Sequence, residues 1–139
     1  MRRLAPEGAL VERGEYVTVY RLGSLEPPHQ PTETQISPFL ELTGYSVFEG
    51  DPPGLALYWQ VTELPTNRAE AITAIVLLDA RGQVVGAANQ PFGVPPMEWQ
   101  LGDRIIEWFT FPVPLGAAHF RLALTRGDST WESPALTVR

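Results

Sequence analysis

Apolar and polar positions alternate along this chain in short runs, and proline and glycine separate the runs. Glu15 to Leu22 is rich in β-branched and aromatic residues and alternates, which predicts a strand. Phe39 to Phe48 predicts a second strand, with Gly44 as a bulge or close-packing point. Leu55 to Val61 alternates most cleanly and places Leu55, Leu57, Trp59 and Val61 on one face. Val84 to Ala88, Ile105 to Val113, Ala117 to Arg126 and Ala135 to Val138 continue the series. Within Ala117 to Arg126 the pattern turns Phe120, Leu122 and Leu124 inward and Arg121 outward. Between the runs, Glu26 to Pro31 reads as an extended polar connector. Thr32 and Gln35 have capping-box spacing, but Pro38 would stop a helix within about one turn. Asp51-Pro-Pro-Gly54 is a turn, and Pro91 to Asp103 a long loop that Trp99 is expected to pin over one sheet edge.

One segment reads two ways. Asn67 with Glu70 resembles a capped helix start, Ala69, Ala71 and Ala74 favour helix, and Gly82 would be its C-cap. Against this, Ile72, Thr73, Ile75 and Val76 are β-branched, and the run to Leu78 leaves no polar face, as in a buried strand. Asp79-Ala-Arg-Gly82 then fits a hairpin loop, with Gly82 supplying a positive φ. Strand is the preferred reading. About eight strands with no long helix predict an all-β chain. Each strand must bury one face, so the expected architecture is a two-sheet antiparallel β-sandwich, immunoglobulin-like or jelly-roll. Residues 1–35 read as an N-terminal edge strand and Pro-rich connector, and residues 36–139 as the sandwich domain.

Composition narrows the function. At 139 residues there is room for one domain and one ordinary core. The net charge of −6 argues against a phosphate-binding surface, so no nucleic-acid partner is expected. There is no cysteine, and all ten basic residues are arginine, which excludes thiol and lysine Schiff-base chemistry. Pro6, Glu7 and Gly8 interrupt any secretory apolar stretch behind Arg2 and Arg3. The longest apolar run, Ala71 to Leu78, is far shorter than the ~20 residues that span a bilayer, so no direct membrane insertion is expected.

Candidate chemistry is sparse. His29 and His119 stand alone, which leaves no metal site and no cofactor in the reading. Ser24, Ser37, Ser46, Ser129 and Ser133 lack a nucleophile-elbow setting, so no catalytic residue is assigned. Asp103, Glu107, Glu41 and Glu63 are the carboxylates a glycosidase-like pair would draw on, but scattered surface acids on an acidic chain are the preferred reading. The aromatics say more. Trp59 belongs to the core, as do Phe109 and Phe111 on the face of Ile105. Trp108 and Tyr58 then point outward on their own strands, either as isolated rings or rings covered by loops or a neighbouring domain, the preferred reading, or as a stacking platform for a sugar or a protein partner. Gln60, Asn89 and Gln90 are the residues expected to add hydrogen bonds to such a ligand.

An ordered series of short motifs adds a resemblance. Leu57-Tyr-Trp-Gln60, Ile75-Val-Leu-Leu-Asp-Ala-Arg-Gly82, Trp99-Gln-Leu-Gly-Asp103, Phe111-Pro-Val-Pro114 and Phe120-Arg-Leu122 follow one another in this order. The series resembles the soluble C-terminal β-sandwich of bacterial membrane glycosyltransferases that use polyisoprenyl-phosphate sugars, over roughly residues 36 to 139. Trp108 departs from the polar residue typical there. The catalytic machinery of those enzymes lies in a membrane portion, so the resemblance implies no catalytic residue here. It implies a non-catalytic accessory module on the extracytoplasmic face of a membrane, binding glycan or a neighbouring protein domain. Two alternatives stand beside it: a small carboxylate-dependent glycoside hydrolase-like enzyme, and a structural oligomer paired through the edge strand Glu15 to Leu22.

Overall fold

In the computed structural model the described residues are 2–4, 10–12, 28–48, 54–66, 70–92, 94, 96–110 and 117–138. The chain is all-β, and its strands form two antiparallel sheets. The larger sheet contains β1 (Arg2–Leu4), β2 (Leu10–Glu12), β3 (Gln30–Gln35), β4 (Leu40–Phe48), β5 (Gly54–Val61) and β8 (Arg104–Thr110), in the order β1-β2-β8-β5-β4-β3. The smaller holds β6 (Ala71–Leu78), β7 (Val84–Pro91), β9 (His119–Arg126), β10 (Ser129–Glu132) and β11 (Leu136–Thr137). Its order is β10-β9-β6-β7, and β11 also pairs with β9. No helix among the described residues is long and apolar enough to cross a membrane.

The sandwich follows from alternation. Leu40, Leu42 and Tyr45 from β4 meet Ile75, Leu77, Phe120, Leu122 and Leu124 from the smaller sheet in one apolar cluster, together with Leu55, Leu57, Trp59 and Val61 from β5. Tyr45 stands edge-on to Phe120 at 4.9 Å and donates its hydroxyl to the Thr137 carbonyl at 2.8 Å, tying the larger sheet to β11. Burial raises the phenol of Tyr45 above its ordinary range, because phenolate would lose its water.

The ambiguous segment is a strand: β6 pairs antiparallel with both β7 and β9. Its turn is built by Asp79, whose Oδ1 accepts from the amides of Arg81 and Gln83 at 2.8 and 2.9 Å. Gly82 supplies the left-handed φ of 81°. The Pro91 to Asp103 loop contains a 3-10 turn at Pro96–Glu98 and folds Trp99 into the core. The Trp99 indole donates to the Val94 carbonyl at 2.8 Å and stands edge-on to Phe92. The loop is thus pinned by burial.

Residues 30–35 differ from the expectation of a connector or a turn of helix. They form β3, an edge strand of the larger sheet, paired with β4 through a register shift between Pro31 and Thr34. An edge is where a strand tolerates Pro31, which has no N–H to donate. The predicted strand Glu15 to Leu22, with its edge-pairing role, lies outside the described residues, as do Pro52, Phe111 and the Pro-Val-Pro114 turn.

Gly44 is both a bulge and a close-packing point. The β4–β5 register shifts between Leu42 and Gly44. A Cβ at Gly44 would lie 2.5 Å from Pro28 Cγ and 3.0 Å from the Gln30 carbonyl oxygen. A stiff ring and a backbone atom cannot yield cheaply, so Gly44→Ala is expected to displace residues 28–30 from β4. The expected loss is about 1–3 kcal/mol in urea unfolding. Faster amide exchange should be confined to β3, with β6 and β9 unchanged.

Candidate functional site

The register of the larger sheet decides which side chains share its outer face. On β5 the inward set is Leu55, Leu57, Trp59 and Val61, all 2% exposed or less, so Tyr58 and Gln60 face outward. On β8 the inward set is Ile105, Glu107 and Phe109, so Arg104, Ile106 and Trp108 face outward. Three rows cross the strands of this face. Trp108 stands opposite Ala56, which stands opposite Ser46. Ile106 stands opposite Tyr58, which stands opposite Gly44 with Pro28 against it. Arg104, Gln60, Glu41 and Gln35 form the third row.

Tyr58 and Trp108 are therefore diagonal neighbours on adjacent strands, a relation that separates residues by roughly 7–8 Å and keeps aromatic rings within reach of each other. Both are half-buried. Beside them, over β3, β4 and β5, lies an open groove of about 560 Å³ lined by Pro31, Thr32, Glu33, Glu41, Thr43 and Gln60. The Thr43 hydroxyl donates to the Tyr58 carbonyl at 3.1 Å, which ties the groove to the strand that carries the ring. The Thr32 and Thr34 hydroxyls share a hydrogen bond at 2.8 Å. Glu33, Glu41 and Gln60 line the groove, Glu33 exposed and the other two half-buried.

The five residues singled out from sequence thus separate. Tyr58, Gln60 and Trp108 share one face. Asn89 is exposed on β7, on the outer face of the smaller sheet and so on the opposite side of the sandwich. Gln90, next along, turns inward. Its amide donates to the Trp108 carbonyl at 3.2 Å and to Glu107 Oε2 at 3.4 Å.

Glu107 is the feature that the sequence reading left among scattered surface acids, and it is fully buried between the sheets. The Trp59 indole donates to its Oε1 at 3.3 Å, and the Thr73 hydroxyl to its Oε2 at 3.4 Å. With Gln90, three donors from β5, β6 and β7 converge on one carboxyl group. Burying a carboxylate without partners is prohibitive, so this network is what permits an acid at an inward position. Asp103 is also buried, and its Oδ2 accepts the Gln100 amide at 2.9 Å in the turn that leads into β8. The rise of an extended chain sets Asp103 and Glu107 roughly 13 Å apart, and each is engaged in holding local structure. Among the described residues no group of three or more histidines and acids converges as metal ligands would.

No protein-family model, no curated protein and no solved structure matches this chain.

Proposed function

We propose that this domain is a non-catalytic binding module whose outer β3-β4-β5-β8 face holds a glycan. The observation that carries this reading is the register that sets Tyr58 diagonal to Trp108 beside a polar groove. Apolar ring faces stack on the C–H faces of a sugar, and carboxylate and amide side chains at the edge match its hydroxyl groups. The motif series resembling the soluble module of membrane glycosyltransferases supports the same reading, because an accessory domain of such an enzyme would meet glycan on the extracytoplasmic side.

Calorimetric titration and a glycan array test the proposal. The wild-type chain is expected to bind at least one glycan class, and Trp108→Ala, titrated under conditions where it is fully folded, to weaken that binding roughly tenfold. Absence of binding to every glycan, or an unchanged affinity in Trp108→Ala, would exclude the sugar-binding role.

A further inference from the structure

We infer that this face takes an extended oligosaccharide, neutral or amine-bearing, laid across the strands, and that it rejects sugars carrying carboxylate or sulfate groups. The inference rests on the binding function proposed above and names its ligand class.

Extension follows from the sheet order. The rings sit on β8 and β5, and the groove residues reach through β4 to Thr32 and Glu33 on β3. Those four strands are consecutive neighbours, three spacings of about 4.8 Å or roughly 14 Å across, and Trp108 lies two rows from Gln60 and Glu41, roughly 13 Å along the strands, so the site runs diagonally over them. One sugar ring on Trp108 does not reach Glu33. A chain that crosses the strands engages the rings at one end and the groove at the other.

Charge and donor–acceptor balance set the ligand class. Glu33 and Glu41 both line the groove, and its lining holds no arginine. The nearest cation in the same row is Arg104, which faces Gln60 and lies two strands from Glu41. Their backbones are roughly 10 Å apart, about one screening length at physiological ionic strength. Among the described residues the groove's lining therefore carries two carboxylates and no cation, in a protein of net charge −6. Carboxylates only accept hydrogen bonds, so the groove matches donors: hydroxyl groups, and better still ammonium groups, whose bonds to carboxylate are charge-assisted. An acidic sugar offers an acceptor of the same sign and gains neither. The groove and the rings make the site, and the two glutamates select what enters it.

The test is titration of the whole chain with oligosaccharides of matched length: a neutral N-acetylglucosamine tetramer, its de-N-acetylated form with the amines protonated, and an oligouronate tetramer. The two non-acidic probes are expected to bind, and the monosaccharides at least tenfold more weakly. The amine probe is expected to bind several-fold more tightly than the neutral one at low salt. Glu41→Gln should erase that preference, weakening the amine probe more than the neutral one. Its unfolding midpoint should be little changed, since Glu41 is only half-buried at the groove and Gln keeps its volume. Glu33→Gln provides the same readout independently. An oligouronate bound as tightly as the neutral tetramer, or a preference that survives both variants, overturns the inference and leaves the proposed binding function standing. Failure of every probe on the array and in titration removes that function, and the ligand class with it.

Discussion

Glu107→Ala is expected to cost about 3–5 kcal/mol of unfolding free energy, read as a lower urea midpoint at constant m-value. The substitution removes a fully buried side chain and leaves a void between the sheets. It also takes the acceptor from the Trp59 indole, the Thr73 hydroxyl and the Gln90 amide in one step. Gln90 keeps the Trp108 carbonyl, but Thr73 is itself fully buried and has no water to turn to. Domains of this size hold about 5–15 kcal/mol in total, so the variant sits near the edge of folding. Glu107→Gln separates shape from hydrogen bonding. It preserves volume and one acceptor, and is expected to cost only about 1–2 kcal/mol. Equal losses in the two variants would show that the filled volume and the retained acceptor contribute nothing, and that the lost carboxylate oxygen carries the whole effect.

Glu107 also shows where sequence was informative and where it was not. The alternation that puts Ile105 and Phe109 inside puts Glu107 inside with them, so its position could be read from the chain. Its partners could not. Thr73, Gln90 and Trp59 come from three different strands, and only the packing of one sheet on the other brings them together. Gln90 is expected on a binding surface from sequence because it falls in a loop past the predicted strand Val84 to Ala88, but the strand runs on to Pro91. It faces inward because a buried acid and an open carbonyl need its amide. Asn89, one residue earlier, is carried to the far side of the sandwich by the same alternation.

The hydrophobic half of the architecture was legible for a simple physical reason. Leu55 to Val61 and Phe120 to Leu124 hold their apolar residues at period two, and nothing else in those segments competes with that signal. For β6 the β-branched residues outweighed a helix-like start, and two flanking strands pair with it. β3 was not legible, because Gln30–Gln35 has no apolar face and joins the sheet through its backbone alone. That matters for the site, since β3 supplies half of the groove. Tyr58 and Trp108 could be placed outward from sequence, but their diagonal relation required the β5–β8 register.

Trp59→Ala is expected to be comparably damaging, at about 3–5 kcal/mol, with the melting temperature lowered by roughly 2–4 °C for each kcal/mol. Trp59 is 1% exposed, and its ring leans on Phe92, which stands edge-on to Trp99. Removing it strips that aromatic chain of its first member and unanchors the long loop before β8. Trp59→Phe keeps most of the packing and loses only the indole bond to Glu107, and a smaller loss is expected. A cycle with Glu107→Gln then isolates the pair, since contacting residues give a coupling energy and independent ones add. The consequence reaches the outer face. Trp59 lies between Tyr58 and Gln60 on β5, and a slip of one residue would turn both inward and Trp59 out. The buried indole therefore holds the binding residues in register. Trp59→Phe should retain the wild-type glycan affinity wherever it remains folded, whereas Trp108→Ala should lose affinity while still folded. If Trp59→Phe lost binding while its melting temperature held, Trp59 would have to act on ligand directly, against its burial.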